Sequence, residues 1–326
     1  LHRRRHSFPT RRSSDLYTVI CDQSTADGEQ CIDDSQWRVW ISGQNGKHTI
    51  NNDTRSGTAD YSADSYRTVA GLDYAINKNT LLGFAFGSSK TQFDVAERDT
   101  SGLVESNSLA FYGSKDFDKM YLKGALSYDW LDAETRRFAF VEGSTAPIIP
   151  VAGVANNLQA QFDGKTFNGR LEAGYKTNWK KLNITPFAGV QLSFAKIGAA
   201  TETAAESDDA LALAYSKNDA YSAPVFVGAQ IDSMFMLSEG SIQPYAKLSF
   251  AHDFSTKRAM EASFVSAPGY KFEVQGAVPD ANTMDVNLGF KMTSITNLAF
   301  YGQFNGQYSE NGAKNEGGTL GLEVHW

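Results

Sequence analysis

Hydrophobic and polar residues alternate along most of the chain from Trp37 onward. Between Phe167 and Trp179, most odd-numbered positions are apolar or aromatic, and most even-numbered positions are polar or charged. A period of two places these two sets on opposite faces of a β-strand, and helical spacing fits the segments less well. An apolar face with aromatic ends, opposite a face with charges of both signs, is typical of a strand that separates lipid from a wet lumen.

The alternation predicts twelve strands, an even number, as a single-chain bacterial membrane barrel requires. The predicted strands lie near 37–43, 68–76, 80–92, 104–115, 119–132, 165–178, 182–196, 222–235, 241–254, 283–293, 297–308 and 317–326. The last strand ends at Trp326, the final residue of the chain.

The predicted connections alternate between short and long. The short ones are 77–79, 117–118, 180–181, 237–240 and 294–296, and the long polar ones are 44–67, 93–103, 133–164, 197–221, 255–282 and 309–316. Membrane barrels show this alternation because their periplasmic turns are short and their external loops are longer. The sequence therefore predicts an all-β, transmembrane, antiparallel up-and-down barrel over 37–326, with both of its ends at the periplasmic rim.

The composition agrees with this prediction without requiring it. Mean hydropathy is −0.36, and no stretch approaches the roughly 18 apolar residues of a membrane helix. A membrane barrel has a polar average because lipid-facing and lumen-facing residues alternate. The 28 Gly, 21 Phe and 14 Tyr with only 8 Pro suit long twisted strands. A soluble β-sandwich has the same composition and remains an alternative.

The charge and the chemistry-bearing residues indicate no enzyme. The net charge of −7 gives no support to nucleic-acid binding, which usually requires a basic face. No Ser-His-Asp arrangement can be argued from the five histidines, and phosphate-loop and EF-hand spacings are absent from the sequence. We therefore expect no catalytic residues, no metal and no cofactor. Cys21 and Cys31 form either a local disulfide or two free thiols, and the sequence leaves both open.

The chain before Trp37 differs from the rest. Residues 1–16 hold five Arg and one Asp and lack the apolar core of a signal peptide. They resemble translated adapter sequence, and we interpret them as a non-native tail, so that the true N-terminus is expected to lie elsewhere. Residues 17–36 are interpreted as the remnant of a linker.

The C-terminal segment alternates strictly between apolar and other residues. Leu320, Leu322, Val324 and Trp326 alternate with Thr319, Gly321, Glu323 and His325. The segment is similar to the β-signal that the outer-membrane barrel assembly machinery reads, which has the order polar, any, Gly, two of any kind, hydrophobic, any, aromatic. Thr319, Gly321, Val324 and Trp326 occupy its four defined places. The resemblance implies outer-membrane lipid and the assembly machinery as partners.

Several short motifs follow one another along 37–326. They are Trp37-Arg38-Val39-Trp40, Gly71-Leu72-Asp73-Tyr74, Leu82-Gly83-Phe84-Ala85-Phe86-Gly87, Pro244 to Phe250, and the close at Gly321. In this order they resemble the translocator domain of the autotransporters of type V secretion. The resemblance implies a twelve-stranded barrel in the outer membrane of a Gram-negative bacterium that anchors and helps export an N-terminal passenger. The passenger would be covalently linked upstream of the barrel and is absent from this chain.

Charged residues on the predicted lumen face are candidates for lining the passage. They are Lys123, Asp129, Arg170, Glu172, Lys176, Lys247, Asp285, Lys291 and Glu323, with Gln191, Gln230, Asp232 and Gln303 as further polar candidates. Either they touch an exported chain, or they pair across strands and stiffen the wall. Inward glycines such as Gly71 and Gly174 are expected to relieve crowding. The alternative function is a porin-like channel without a passenger.

Overall fold

The computed structural model describes residues 36–51, 59–143, 153–204, 210–255, 259–275, 280–294 and 297–326. The predicted tail 1–16, both cysteines and the predicted linker except Gln36 lie outside these residues. Within the described part, the helical content is one short turn, Ala96–Arg98, and no helix is long and apolar enough to span a membrane.

Twelve strands form the wall of a barrel, and we number them in chain order. They are β1 Trp37–Ile50, β2 Tyr61–Asn77, β3 Thr80–Val95, β4 Thr100–Phe117, β5 Met120–Val141, β6 Val154–Tyr175, β7 Leu182–Ile197, β8 Pro224–Asp232, β9 Gly240–Asp253, β10 Asn282–Ser294, β11 Leu298–Ser309 and β12 Lys314–His325. Asn218–Ser222 continues β8 along β7. Thr177–Trp179 and Phe235–Leu237 extend two of the short turns.

The wall closes on itself. Each strand pairs antiparallel with its neighbours in the chain, and β12 pairs with β1 from Arg38↔His325 to Thr49↔Lys314. The N–H of Trp37 donates to the carbonyl of Trp326, and the N–H of Trp326 donates to the carbonyl of Trp37, both at 3.1 Å. The predicted twelve-stranded antiparallel up-and-down barrel is confirmed, with both ends at the rim that carries the short turns.

An apolar belt covers the outer surface. On β6 the outward residues from Phe167 to Tyr175 are apolar or glycine, a span of nine residues (167–175). A tilted strand needs about 9–11 residues to cross the hydrocarbon core. On β2 the belt begins and ends with tyrosines, Tyr74 and Tyr66, and the ring of Tyr74 lies 4.6 Å from that of Trp37. A closed wall with such an outer face excludes the soluble sandwich.

Several strands are longer than predicted, all at the end opposite the short turns. β5 runs to Val141 and β6 starts at Val154, where the sequence predicted a loop over 133–164. On this part of β6 the alternation is inverted, since Leu158, Ala160 and Phe162 point inward and polar residues point outward. The wall here stands above the lipid, so its outer face is wet. The predicted links 44–67, 93–103 and 309–316 are also wrong in length, because only 51–60, 96–99 and 310–313 separate the strands.

A second, small sheet forms at the same end. Its strands are Ala200–Thr201, Leu213–Tyr215, Ala259–Phe264 and Ala267–Gln275, and the order in the sheet follows the chain. The sequence predicted irregular loops in this region. Ala200 packs with Ala133, Ala160 and Phe162 on the inner face of the extended wall. The β7–β8 connection therefore lies against the inside of the barrel mouth.

Candidate functional site: lumen and closing strand

The closing strand β12 has one face outside the barrel and one inside. Leu320, Leu322, Val324 and Trp326 point outward and are 46–60% exposed, whereas Thr319, Gly321, Glu323 and His325 are buried inside. Of the predicted signal residues, two therefore lie on each face. That an assembly machinery recognises these residues stays a prediction.

Gly321 lies beneath an aromatic ring of the neighbouring strand. It is opposite Tyr301 in the β11–β12 register. A Cβ at Gly321 would overlap the ring of Tyr301. Only glycine therefore allows this ring to pack against the strand at the seam of the barrel.

We expect Gly321→Ala to destabilise the barrel by about 1–3 kcal/mol, because the ring of Tyr301 must leave its position. Thermal midpoints of the heat-dependent gel shift measure the effect. Gly43→Ala is a matched control in β1 across the same seam, since a Cβ there would meet nothing within 4 Å. Equal losses in the two variants would contradict the packing argument.

The same packing recurs around the interior. The pairs are Gly71 under Trp40, Gly83 under Tyr112, Gly174 under Tyr121, Gly189 under Phe226, and Gly289 under Tyr245. Each aromatic ring belongs to a strand adjacent to that of its glycine. The glycines leave room for these large rings to pack directly against the inner face of the wall.

Glu172 of β6 is the centre of an ion cluster in the lumen. Its Oε2 lies 3.1 Å from Nζ of Lys247 and 3.3 Å from Nη2 of Arg170, and its Oε1 accepts a hydrogen bond of 2.9 Å from the hydroxyl of Tyr121. Lys247 belongs to β9, three strands away, so this ion pair connects separate parts of the wall across the interior. The side chains of Glu172 and Lys247 are both over 90% buried.

Aromatic rings flank the cations of this cluster. Nζ of Lys247 lies 3.9 Å from the ring centre of Phe187, and the guanidinium of Arg170 lies 4.0 Å from that of Phe226. Nζ of Lys123 lies 4.5 Å from the ring centre of Tyr121. Cation–π contacts of this kind gain strength where water is excluded. Lys123, Arg170, Glu172 and Lys247 thus come together, as four of the nine predicted lining residues.

Asp129 lies in a separate polar cluster nearer the outer mouth. Its Oδ2 accepts a hydrogen bond of 2.8 Å from Nδ2 of Asn168, which also donates to Ser127 at 3.1 Å. Asn168 accepts from Ser193, so the cluster joins β5, β6 and β7. Sequence spacing alone could not assign these partners.

Glu323 and Lys291 form a third cluster near the short-turn rim. Oε2 of Glu323 lies 3.4 Å from Nζ of Lys291, and its Oε1 lies 2.8 Å from Nε2 of His325. Glu323 is 1% exposed. The closing strand is thus joined to β10 by charge as well as by its backbone pairing through β11.

The two remaining predicted lining residues have local partners. Lys176 follows the end of β6, and its Nζ lies 2.9 Å from Oδ1 of Asp116 at the rim, outside the regular inward face. Asp285 of β10 accepts a hydrogen bond of 2.7 Å from Nε2 of Gln307. That any of the nine residues contacts an exported chain stays a prediction.

The sequence-based set missed a buried cluster between β1 and β4. Nε1 of Trp40 donates to Oδ1 of Asp73 at 3.1 Å, and the hydroxyl of Tyr112 also contacts Asp73, which is fully buried. Arg38 lies opposite Asp73 in the register and is also buried. The motifs Trp37–Trp40 and Gly71–Tyr74 contain three of these residues, so those motifs are the sequence signal that could have indicated the cluster.

An ion pair holds the β7–β8 connection against the mouth. Arg137 of β5 donates to Glu202 through Nε at 2.7 Å and through Nη2 at 2.6 Å, and Tyr215 donates to the same carboxylate at 2.9 Å. Burial alone would lower the pKa of Arg137, but Glu202 outweighs it and raises that pKa. Burial and Glu202 both raise the pKa of Tyr215, so its hydroxyl remains a donor.

The described interior is a polar, charged wall. Within the described residues, no group of three or more His, Cys, Asp or Glu could hold a metal. What the arrangement offers chemically is a set of hydrogen-bonding and ion-paired surfaces in a closed tube.

The family model described as "Autotransporter beta-domain" matches residues 39–305 of the chain. Outer membrane protein B of Rickettsia japonica is 25% identical over 173 residues, which are 51% of this chain and 10% of that protein. An extracellular serine protease of Serratia marcescens is 20% identical over 271 residues, which are 81% of this chain and 24% of that protein. The chain thus spans about a tenth to a quarter of these relatives.

The fold is similar to that of the translocator domain of autotransporter NalP from Neisseria meningitidis. The two structures superpose with a TM-score of 0.67 and 14% sequence identity, and the match covers 90% of each chain. At this identity the likeness shows the shared twelve-stranded barrel fold.

Proposed function

The chain belongs to the autotransporter β-domain family, and from this membership we propose that its barrel anchors and helps export a passenger joined upstream of Trp37. The barrel is an integral protein of the bacterial outer membrane. Its apolar belt faces the lipid, and the rim with the short turns faces the periplasm.

One observation carries the proposal: the start of the barrel lies at the periplasmic rim, directly beside its end. Trp37 and Trp326 exchange two backbone hydrogen bonds of 3.1 Å. A passenger linked before Trp37 would therefore meet the barrel at its periplasmic opening. The polar lumen is then its path to the outside, because a polypeptide in the lipid would leave its backbone groups without partners.

The lumen wall suits a passing chain because its charges are held in place. Glu172 is flanked by Lys247, Arg170 and Lys123, so the centre of the passage carries three cations around one carboxylate. Aromatic rings and the shared carboxylate hold these cations, and an exported segment would find hydrogen-bonding partners beside them. The predicted lining residues take this role in the proposal, and the barrel carries out no reaction of its own.

The outer mouth is expected to narrow where the β7–β8 connection lies on the inner face of β5 and β6. Arg137 and Glu202 both lie above the lipid belt. Breaking their ion pair would therefore release the connection and leave the strand pairing within the belt intact. We propose that this connection moves aside as a passenger emerges.

The proposal includes the outer-membrane assembly machinery as a partner that reads β12. Support comes from the position of the signal residues on the strand that closes the barrel against β1. Val324 and Trp326 are exposed on its outer face, where a partner protein could contact them before closure.

The test is surface display. The full chain, preceded by a signal peptide and an epitope-tagged passenger, is expected to place the tag outside intact cells, where added protease removes it. The control is the same passenger on a barrel with a lipid-face lysine, which is expected not to assemble. An assembled, heat-modifiable barrel whose passenger stays protected in the periplasm would contradict the proposal.

A porin-like channel would have the same polar lumen, and its conductance in planar bilayers would distinguish it from an export barrel. A barrel that exports nothing and shows a steady, wide conductance in planar bilayers supports the porin. The export proposal instead expects a small or fluctuating conductance, because the β7–β8 connection lies on the inner face of the barrel mouth.

A further inference from the structure

Two lysines lie side by side on the outside of the barrel, where the lipid belt ends. Lys165 of β6 is directly opposite Lys196 of β7 in the strand register, and both side chains are exposed on the outer face. Directly opposite residues on one face of an antiparallel pair have Cβ atoms about 4.5–5.5 Å apart, and like charges there are destabilising. The pair therefore costs stability unless an anion lies between the ammonium groups.

Two other outward lysines lie opposite glutamates, although one like-charge pair also occurs nearby, since Asp132 lies opposite Asp163. Lys90 lies opposite Glu105, with Nζ 3.1 Å from Oε1, and Lys47 lies opposite Glu316. Among the described residues, no carboxylate forms an ion pair with Lys165 or Lys196.

Three aspartates flank the lysine pair on the outer face. Asp219 lies opposite Lys196 on the side of β8, Asp163 precedes Lys165 by two residues on β6, and Asp132 lies opposite Asp163 on β5. None of the three forms an ion pair with either lysine. Asp132 and Asp163 lie farther from the lipid belt than the lysines, so an anion at the edge of the belt meets the two lysines first.

Aromatic residues form an apolar surface directly below the lysines. Phe167 and Phe194 lie opposite each other, two residues along each strand from the lysines and nearer the middle of the membrane. Both are at least 43% exposed. Tyr221 lies opposite Phe194 on β8, and Trp130 lies opposite Lys165 on β5, at the same height as that lysine. Two cations at the upper edge of this aromatic surface match a ligand that has an anionic head and apolar chains.

We propose that Lys165 and Lys196 bind the phosphate of a phosphorylated glycolipid of the outer leaflet, with its acyl chains against Phe167 and Phe194. Both lysines lie at the end of the barrel with the longer connections, which faces outward. They lie at the height of the lipid headgroups, since the apolar belt ends two residues below them along each strand. Their charge complements the phosphate, and the rings complement the chains. The outer wall thus selects its surrounding lipid at this position.

The test measures binding of bisphosphorylated lipid A to the purified full chain in detergent by native mass spectrometry. Each lysine near a charged lipid surface contributes about 1 kcal/mol, or roughly fivefold in affinity. Lys165→Ala with Lys196→Ala is therefore expected to weaken binding by about tenfold or more. Lys165→Arg with Lys196→Arg is expected to keep it within about twofold.

The matched control is Lys90→Ala with Lys47→Ala, which removes two outward lysines that face carboxylates, and it is expected to leave binding unchanged. Lipid A without phosphates is expected to bind weakly to both the native chain and the alanine variant. An unchanged affinity in the Lys165/Lys196 alanine variant, or an equal loss in the control, would overturn the proposal. Inorganic phosphate that occupies the pair as tightly as the lipid would also overturn it, since the site would then bind a free anion.

Discussion

Leu322→Lys is expected to abolish assembly of the barrel in the outer membrane. Leu322 lies in the middle of the outward face of β12 and is opposite Ile41 of β1 and Phe300 of β11, all of them in the lipid belt. A lipid-facing lysine near the bilayer midplane costs about 2–4 kcal/mol. This is a large part of the roughly 5–15 kcal/mol that stabilises a typical folded domain.

The measurement is the fraction of heat-modifiable barrel in outer-membrane extracts. Leu322→Val is the control, because it keeps the apolar face and a β-branched side chain suits a strand. A lysine variant that assembles as well as the valine variant would show that the outer face of β12 does not contact lipid.

The alternation alone predicts that Glu323→Lys is milder than Leu322→Lys, because a water-filled lumen would tolerate the lysine. The structure reverses this expectation. Glu323 is instead 1% exposed and lies 3.4 Å from Lys291. A lysine there would bury two like charges together, so we expect Glu323→Lys to be severe and Glu323→Gln to be milder.

Glu172→Gln is expected to destabilise the folded barrel by about 3–5 kcal/mol. Removing one partner of a buried ion pair leaves the other charge uncompensated. Here Lys247 and Arg170 would lose their shared carboxylate, and the Lys247 side chain is 8% exposed. The free energy of unfolding in urea, measured in detergent micelles, gives the loss.

Two variants make this result specific. Glu105→Gln breaks the exposed Lys90–Glu105 pair and is expected to cost less than about 1 kcal/mol. Adding Lys247→Met to Glu172→Gln should recover part of the loss, because the uncompensated ammonium is removed. A loss at Glu172 no greater than at Glu105 would mean that water in the lumen screens the cluster.

The alternation of residues was enough to predict the faces of the strands. Leu322 lies outside and Glu323 inside because side chains of a strand alternate strictly, and one face of each strand must meet lipid. The closed barrel and the shared rim of Trp37 and Trp326 followed from the number of strands. These features depend on local pattern, which a single sequence contains.

The strand ends above the membrane were not predictable by the same reasoning. On β6 the apolar face changes from outward at Phe167 to inward at Phe162, because the wall leaves the lipid near Lys165. A search for one continuous pattern stops at that inversion and assigns a loop. The contact of Glu172 with Lys247 was equally hidden, since 75 residues separate them and only the curvature of the barrel brings them together.

The most direct test of the export proposal is photo-crosslinking of a passenger stalled during export. A photoreactive residue is placed either at Ala125, which faces the lumen, or at Leu126, which is 53% exposed on the outer face of the same strand. Export through the lumen predicts adducts with the stalled passenger at 125 and none at 126. Adducts only at 126, or none at 125 while export proceeds, would contradict a route through the lumen.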